Sequence, residues 1–328
     1  MDFLSILTTS VTSAIGPVAA IYALAIIGLN MHFGYTGLLN FGQVGFMLVG
    51  AYGVAISVGT YGLPLSVGVG AGILSGIVLA LLMGIPTLRL RADYLAIATI
   101  AAAEGLRFVY RAPFARDVTG GVFGRQNLSD GFRELNPFPP GRYGIGDITF
   151  SSSHLWTMLV TWALVLIGSL IMWSLMHSPW GRVIKGIRED EDAVRSLGKN
   201  VFAYKLQSLV VGGVFGAMAG VMITLHQASV TPDQFRPQVT FYLWAMLLLG
   251  GAGRTLGPII GSVVMWFLLT FTDETMRALD QMGLLPFVSG GQLGAVRHAL
   301  VGLILVLLII YRPQGVVGDR REMLVNVK

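Results

Sequence analysis

The chain has 328 residues, of which 54% are hydrophobic and 12% are charged, and its formal net charge is +5 at pH 7. Soluble domains carry about 25% charged residues, so this composition excludes a water-soluble enzyme. The basic residues lie in short segments beside apolar runs, which is typical of cytoplasmic loops and argues against nucleic acid as a partner. The absence of cysteine excludes disulfide bonds and thiolate metal ligands.

The N-terminal part of the chain lacks acidic and strongly basic side chains, because no Asp, Glu, Lys or Arg occurs between Asp2 and Arg89. Lipid solvates such a stretch, which has room for roughly three or four spans of about 20 residues each. Unbroken apolar runs predict helices, because a membrane barrel would show short strands of alternating polarity. The predicted fold class is an all-α polytopic membrane protein, with residues 1–328 in one transmembrane domain.

In chain order, the apolar segments predict about nine transmembrane helices, within a range of about eight to ten. They cover residues 15–31, 38–58, 64–85, 94–110, 155–176, 206–225, 241–253, 256–271 and 299–311. The seventh and eighth are short, so two half-helices and a tight hairpin are both open interpretations. Small residues every four positions predict close packing of several helices. They are Gly68, Gly72, Gly76, Ala80 and Gly84; Gly212, Gly216 and Gly220; and Gly253, Gly257 and Gly261.

Three clusters of basic residues predict the orientation of the helices, since cytoplasmic loops carry an excess of Lys and Arg. The clusters are Arg89 and Arg91; Arg182, Lys185, Arg188, Arg195, Lys199 and Lys205; and Arg312, Arg320, Arg321 and Lys328. An even number of predicted helices separates successive clusters, as a common cytoplasmic location requires. The N-terminus is then outside and the C-terminus cytoplasmic. Residues 112–153 form an extracytoplasmic loop, and residues 177–205 form a cytoplasmic loop.

The cytoplasmic loop carries the signals of a short amphipathic helix. Ser178 and Pro179 suit its N-cap and first position, and Gly198 suits its end. Its apolar positions at helical spacing are Ile184, Ile187, Val194 and Leu197, followed by Val201. The acidic run from 189 to 192 disfavours the anionic inner leaflet, so we expect this helix to dock into a groove of a soluble partner. The alternative is a solvated loop with an incidental apolar stripe.

Five segments carry motifs that match one known family. They read GYTGLLNFGQ at 34–43, DYLAIAT at 93–99, GRVIKGIREDEDAVRSLG at 181–198, GGAGRTLGP at 250–258 and YRPQG at 311–315. Together they resemble bacterial ABC importer permeases for branched-chain amino acids, of the LivM type, and the run at 181–198 resembles the coupling loop of that family. The loop departs from the motif at Asp192 and Val194, where the family has Glu and Ala. The extracytoplasmic loop matches less well after Gly121.

The resemblance implies the permease subunit of an ATP-driven importer in the bacterial cytoplasmic (inner) membrane, with branched-chain amino acids as its substrate. Urea, short amides and other amino acids stay open as substrates. The implied partners are a second related permease in a heterodimer, two cytoplasmic ABC ATPase subunits, an extracytoplasmic substrate-binding protein and membrane lipid. Coupling to the ATPase is assigned to Arg182, Ile184, Ile187, Glu189, Asp190, Glu191, Asp192, Val194 and Gly198.

The glycine-rich segment 34–53 and two charges inside a predicted helix are the candidates for the substrate path. Irregular backbone at membrane depth needs protein or a water-filled cavity around it, and the free amides of a broken helix attract a carboxylate. The candidates are Tyr35, Gly37, Asn40, Gln43, Glu104 and Arg107. A kinked, packed helix and a purely structural Glu104–Arg107 pair stay open as alternatives. His226 and Asp233 are expected to be solvated loop residues.

Motifs for catalysis are missing from the sequence. Gly198-Lys199 is followed by Asn200 and lacks the upstream glycine of an ATP-binding P-loop, and no catalytic Ser/His/Asp grouping, metal-binding spacing or cofactor motif occurs. The chain is therefore predicted to be a transporter subunit and not an enzyme. The alternative from a different class is an ion-coupled secondary transporter of amino acids or other small polar solutes, with Glu104 as its coupling site.

Overall fold

The computed structural model describes residues 3–90 and 92–282, together with 299, 302–303, 306, 310–311 and 314–318. These residues form a mainly helical bundle. The helices are α1 (Phe3–Ile15), α2 (Pro17–Leu29), α3 (Gln43–Val54), α4 (Leu65–Thr87), α5 (Ala92–Arg111), α6 (Arg116–Thr119), α7 (Asp130–Glu134), α8 (Ser152–His177), α9 (Pro179–Glu189), α10 (Glu191–Ser196), α11 (Val201–Gln227), α12 (Pro237–Gly250) and α13 (Gly257–Gln281).

Two helices continue with a wider helical turn, and three short 3₁₀ turns connect other elements. The π-helical segment Asn30–Tyr35 extends α2, and the π-helical segment Ala55–Thr60 extends α3. The 3₁₀ turns are Pro113–Ala115, Gly121–Phe123 and Pro232–Phe235. With these extensions, six helices in the described residues are long and apolar enough to cross a membrane. These are Pro17–Tyr35, Gln43–Thr60, Leu65–Thr87, Ser152–His177, Val201–Gln227 and Gly257–Gln281.

The bundle has a buried centre and a more exposed outer layer. In the most apolar stretch of α2 with its extension 83% of the residues are buried, and the corresponding share is 72% in α3 with its extension and in α11. The share falls to 28% in α4, 33% in α8 and 22% in α13. The second group therefore presents apolar faces outward, as helices next to lipid or another membrane subunit do.

Glycines let the central helices approach each other to main-chain contact. A Cβ atom at Gly50 would collide with the backbone of α11, and one at Gly53 would collide with the backbone of α4. Gly220 of α11 lies directly against the carbonyl oxygen of Met47 in α3. The spacing of small residues therefore predicts the close packing correctly, and the interfaces leave no room for a larger side chain.

The ends of several helices follow local sequence signals. The Ser151 side chain caps α8 by accepting from the His154 amide at 3.4 Å. The Asn200 side chain caps α11 by accepting from the Ala203 amide at 3.1 Å. Proline occupies the first position of α2 and of α12, where the missing N–H costs nothing.

The described residues also contain four short strands, so the all-α prediction is too strict. Strands β1 (Arg125–Gln126) and β4 (Ser229–Val230) pair antiparallel, and β2 (Arg142–Ile145) and β3 (Ile148–Ser151) form an antiparallel hairpin. Strands β2 and β3 come just before α8 in the chain, and β4 comes just after α11. Both sheets therefore lie at the end of the bundle opposite to α9 and α10. We call this end the α6–α7 end and the other one the α9–α10 end.

The predicted helix limits differ from the structure by up to five residues at most helix ends, and by more at α13. Helix α1 was not predicted, because its threonines and serines lower its hydropathy. The second predicted helix starts too early, since residues 37–42 are not helical and α3 begins at Gln43. Helix α13 continues ten residues beyond the predicted end at 271, to Gln281. The ninth prediction, 299–311, lies largely outside the described residues.

We expect Gly220→Ala to destabilise the chain by about 1–3 kcal/mol, because the new methyl group would overlap the Met47 carbonyl oxygen. The matched control is Gly70→Ala on the exposed face of α4, where a Cβ has no atom within 4 Å. The measurement is thermal unfolding of the purified chain in mild detergent. Equal midpoints for the two variants would contradict the tight α3–α11 interface.

Candidate functional site

The break between α2 and α3 is held by hydrogen bonds to other protein groups. The Phe41 amide donates to Thr99 Oγ1 at 3.0 Å, and the Gly42 amide donates to Asn40 Oδ1 at 2.8 Å. The Trp244 indole N–H donates to the Asn40 carbonyl oxygen at 3.2 Å. Non-helical backbone inside an apolar bundle is stable only with such partners, so α5 and α12 fix the shape of the break.

A buried polar network continues from the break into the central helices. His32 Nε2 lies 3.1 Å from the Leu209 carbonyl oxygen, so Nε2 carries the proton and donates. Its Nδ1 then accepts from Asn40 Nδ2 at 2.9 Å. Gln43 Nε2 donates to the Ala25 carbonyl oxygen at 3.1 Å. His32, Asn40 and Gln43 are each at most 2% exposed, so the network joins α2, α3 and α11.

The first amides of α3 have protein acceptors in this conformation. The Val44 amide donates to Thr240 Oγ1 at 3.1 Å, and the Gly45 amide donates to the Gly42 carbonyl oxygen at 2.9 Å. The predicted capture of a carboxylate by these amides would therefore require the contact with α12 to open. In this conformation the break agrees with the alternative of a kinked helix that is packed against its neighbours.

Tyr35 and Gly37 lie at the α9–α10 end of the same break. Gly37 adopts φ +77°, a conformation that strongly favours glycine, and it packs against Arg188 of α9. The Arg188 guanidinium donates to the Gly34 carbonyl oxygen. The Tyr35 hydroxyl lies 3.3 Å from Thr255 Oγ1. The structure thus places α9 in direct contact with the break, a link that the spacing of residues in the sequence does not reveal.

Asn30 is a further residue of this region that was not predicted. Its Nδ2 donates to the Arg254 carbonyl oxygen at 2.9 Å, and its Oδ1 accepts from the Gly253 amide at 2.8 Å. It therefore holds the glycine-rich turn between α12 and α13 against the π-helical extension of α2. A lone Asn in an apolar run was the available sequence signal, because such a residue needs a buried partner.

The predicted cytoplasmic helix is two helices with a break at Asp190. Ser178 caps α9 as predicted and accepts from the Gly181 amide at 3.3 Å. Asp190 has an extended backbone, with φ −154°, and its Oδ1 accepts from the amides of Asp192 and Ala193 at 2.9 Å each. Asp190 therefore ends α9 and caps α10. Gly198 follows α10 with φ +75°, as expected of a helix stop.

The apolar face of α9 and α10 points into the bundle. Ile184 is fully buried, Ile187 is 4% exposed and Val194 is 9% exposed. Ile187 and Val194 pack together with Val201, the first residue of α11. The stripe therefore fixes the two helices to their own bundle, except at Leu197, which is 78% exposed. Docking of this helix pair into a groove of a partner stays a prediction.

The acidic residues of the loop differ in their surroundings. Glu191 forms ion pairs with Arg195, at 2.8 Å, and with Lys205. Asp192 pairs with Arg195 at 2.6 Å, but its side chain is 87% exposed. The face turned away from the bundle carries exposed side chains of both polarities. They are Arg182, Lys185, Glu189, Asp192 and Leu197, the last being 78% exposed. This face is the one available to a partner.

At the opposite side of the break, Arg107 joins two carboxylates. Its Nε and Nη2 donate to the two carboxylate oxygens of Glu104 at 2.9 and 2.5 Å, and its Nη1 donates to Asp233 Oδ1 at 2.5 Å. Arg107 is 6% exposed. Arg111 and Arg236 lie 3.6 and 3.9 Å from Asp233 Oδ2. The cluster therefore fastens the 3₁₀ turn Pro232–Phe235 to α5.

The solvated location expected for His226 and Asp233 is wrong. Asp233 is half-buried in the Arg107 cluster, and the His226 ring lies 5.2 Å from the His154 ring. The six candidates for the substrate path form two groups along the bundle, because Glu104 and Arg107 lie beyond the break on α5. In the described residues no hydrogen bond joins one group to the other.

A buried centre, six long apolar helices and a packed helix pair at one end define a multi-pass membrane protein. A family model described as a branched-chain amino acid transport system permease component matches residues 12–310. The chain belongs to this family. The predicted permease subunit of an ABC importer and its location in the bacterial inner membrane are confirmed by this membership.

Several relatives of the chain are permeases of branched-chain amino acid transport systems. The chain is 29% identical to the high-affinity branched-chain amino acid transport system permease protein LivM of Salmonella typhimurium, over 94% of this chain and 71% of that protein. It is 25% identical to the probable LivM permease of Methanocaldococcus jannaschii, over 92% and 91%. It is 24% identical to the permease LivH of Salmonella typhimurium, over 90% and 91%. No solved structure matches the chain.

We expect a double-mutant cycle of Arg107→Ala and Asp233→Ala to give a coupling free energy of about 1–3 kcal/mol, because this pair is short and shielded from water. The control cycle pairs Arg236→Ala with Asp233→Ala, whose groups are 3.9 Å apart with Arg236 59% exposed. Its coupling should stay below about 0.5 kcal/mol. Chemical unfolding of the three single variants, the two double variants and the parent measures both values, and equal coupling would exclude Arg107 as the anchor of the turn.

Proposed function

We propose that this chain is one of two related permeases in an ATP-driven importer that carries branched-chain amino acids inward. The naming of LivM and LivH relatives as permeases of a branched-chain amino acid system supports the substrate and the second permease. Two cytoplasmic ATPases and an extracytoplasmic substrate-binding protein complete the assembly. The observation that carries the proposal is the contact of α9 with the broken span, through Arg188 and the Gly34 carbonyl oxygen.

In this proposal, about nine helices cross the membrane with the N-terminus outside and the C-terminus in the cytoplasm. Helix α1 is not one of the nine, which begin with α2. The α9–α10 end is cytoplasmic and includes the coupling loop 177–205, while residues 112–153 are extracytoplasmic. The basic residues that cluster at the α9–α10 end support this orientation.

The coupling residues act in two ways in this mechanism. The buried members, Ile184, Ile187 and Val194, hold α9 and α10 to the bundle. The exposed members contact the ATPase, which displaces them when it changes conformation. Because Arg188 contacts the π-helical extension of α2, a displacement of α9 reaches the segment Asn30–Tyr35 and the break after it. π-helical turns occur often at functional sites, and a break fixed by side-chain hydrogen bonds has a second arrangement within reach when those bonds open.

The substrate path follows the break and then α5. Tyr35 and Gly37 lie at its cytoplasmic part, Asn40 and Gln43 at its centre, and Glu104 with Arg107 toward the outside. An amino acid carries both a carboxylate and an ammonium group, and the Glu104–Arg107 pair offers one partner to each when it opens. In the ion-coupled alternative Glu104 would bind the driving ion, but both its oxygens accept from Arg107 here.

The test is uptake of radiolabelled leucine by proteoliposomes that contain both permeases, with binding protein outside and ATPases and ATP inside. Leu197→Glu should lower uptake and co-purification of the ATPase at least about tenfold, because it places a charge in the middle of the proposed contact. Leu135→Glu is the matched control, since Leu135 is 64% exposed on the opposite side. Leucine uptake by this chain alone, driven by an ion gradient, would exclude the proposal.

The orientation has an independent test, because the chain has no cysteine to remove. A cysteine placed at Ile145, which is 91% exposed, should react in intact cells with a maleimide that cannot cross the membrane. A cysteine placed at Leu197 should react only after the membrane is opened. Labelling of the Leu197 position in intact cells would reverse the topology and would remove the site of ATPase contact.

A further inference from the structure

A cleft of about 810 Å³ opens at the α9–α10 end, beside the turn that joins α4 to α5. Its walls come from that turn, from α10 and from the first turn of α11. The side chains that matter for its chemistry are Arg89, Arg195, Lys199, Phe202 and Lys205. The cleft is separate from the broken span, and none of the six substrate-path candidates lines it.

The cleft has an excess of positive charge. Four basic side chains, including Arg195 and Lys205, face two acidic ones, Glu191 and Asp192, which leaves two positive charges in excess. Arg195 and Lys205 satisfy both carboxylates through ion pairs. Arg89 and Lys199 have no carboxylate within 4.0 Å among the residues that the structure describes. These two cations are therefore available to an anion from outside the chain.

An apolar surface leads directly to these cations. The Arg89 guanidinium carbon lies 5.7 Å from the centre of the Phe202 ring, which holds the side chain over the cleft. Leu90, beside Arg89, is 46% exposed. In the last two turns of α4, which runs into this turn of the chain, Leu82 and Ile85 are 68% and 52% exposed. A cationic cleft at the end of an exposed apolar helix face has the polarity of a phospholipid, with a headgroup at one end and acyl chains along the other.

We propose that this cleft binds the phosphate headgroup of an anionic phospholipid, with the acyl chains along the exposed face of α4. Basic side chains near a membrane surface each contribute about 1 kcal/mol to the binding of anionic lipid. A soluble phosphate would use the two cations but not the apolar face, so the structure favours a lipid. The proposal relies on the proposed orientation only to name the leaflet, which is the inner one.

The lipid ties the α4–α5 turn to the coupling loop. Arg89 belongs to the turn and Lys199 follows α10, so one headgroup held by both bridges two cytoplasmic segments. ATPase contact uses the exposed face of α9 and Leu197, and the lipid uses Arg89 and Lys199, with Asp192 at the border of the two sites. Arg89 and Lys199 are not among the coupling residues, so removing their charges leaves recruitment of the ATPase intact, which separates this proposal from the proposed function.

The experiment measures binding to the full chain purified in mild detergent, without partners. The probes are dioctanoyl phosphatidylglycerol, dioctanoyl phosphatidylcholine and inorganic phosphate, each titrated while thermal unfolding is followed. Native mass spectrometry counts the lipids retained. We expect phosphatidylglycerol to raise the unfolding midpoint and to stay bound, and the other two probes to do neither. The variant Arg89→Gln with Lys199→Gln should weaken phosphatidylglycerol binding by about thirtyfold, or about fivefold for each charge.

Two control variants keep the result interpretable. Arg116→Gln with Arg142→Gln removes two exposed cations at the α6–α7 end and should leave phosphatidylglycerol binding unchanged. Arg89→Lys with Lys199→Arg keeps both charges and should retain most of the binding, which distinguishes loss of charge from loss of fold. Equal stabilisation by the two lipids, or undiminished binding by the Gln variant, would overturn the proposal. An equal midpoint shift with inorganic phosphate alone would overturn the lipid assignment and indicate a soluble anion.

Discussion

The structure depends on one constraint: backbone groups that a broken helix leaves unsatisfied inside the apolar bundle need hydrogen-bond partners from elsewhere in the protein. The break after α2 exposes backbone amides and carbonyl oxygens where no helix satisfies them, and side chains from α5 and α12 take the place of helical hydrogen bonds. Asn40 is central to this arrangement, because its side chain and its carbonyl oxygen both take part. The break therefore depends on helices far from it in sequence, and it has a defined shape instead of a random one.

Helix α5 connects the break with the ionic cluster. Thr99 bonds the break, and Arg107, eight residues later and about 12 Å along the helix, bonds Asp233. A tilt of α5 therefore changes both sites together, because the helix is stiff over this length. The glycine contacts between α3, α4 and α11 leave no space for a gradual adjustment. Tightly packed interfaces of this kind shift between discrete arrangements, which agrees with the inward transport that we propose.

Local sequence signals predicted the features that depend on contacts between neighbours in the chain. Ser178, Pro179 and Gly198 mark the start of α9 and the stop after α10 correctly, because capping involves neighbours in the chain. Periodicity identified the face formed by Ile184 and Ile187, but it cannot say what that face touches, and the face packs inward. The partner of Arg107 beyond its own helix is 126 residues away, and no spacing rule reaches that distance. The substrate path and the coupling residues stay predictions for the same reason, since both need an occupant from outside the chain.

The basic residues at the α9–α10 end have separable tasks. Arg195 and Lys205 pair with Glu191, so their charges serve the fold of the loop and add little to the field outside it. Arg188 is bound to a carbonyl oxygen of the broken span. Arg89, Lys185 and Lys199 have no carboxylate partner among the described residues, and all three are exposed. The proposed orientation and the proposed lipid site therefore rely on the same kind of residue, an exposed cation without a carboxylate partner. Of the three, Arg89 and Lys199 line the cleft, whereas Lys185 lies on the face of α9 that is available to a partner.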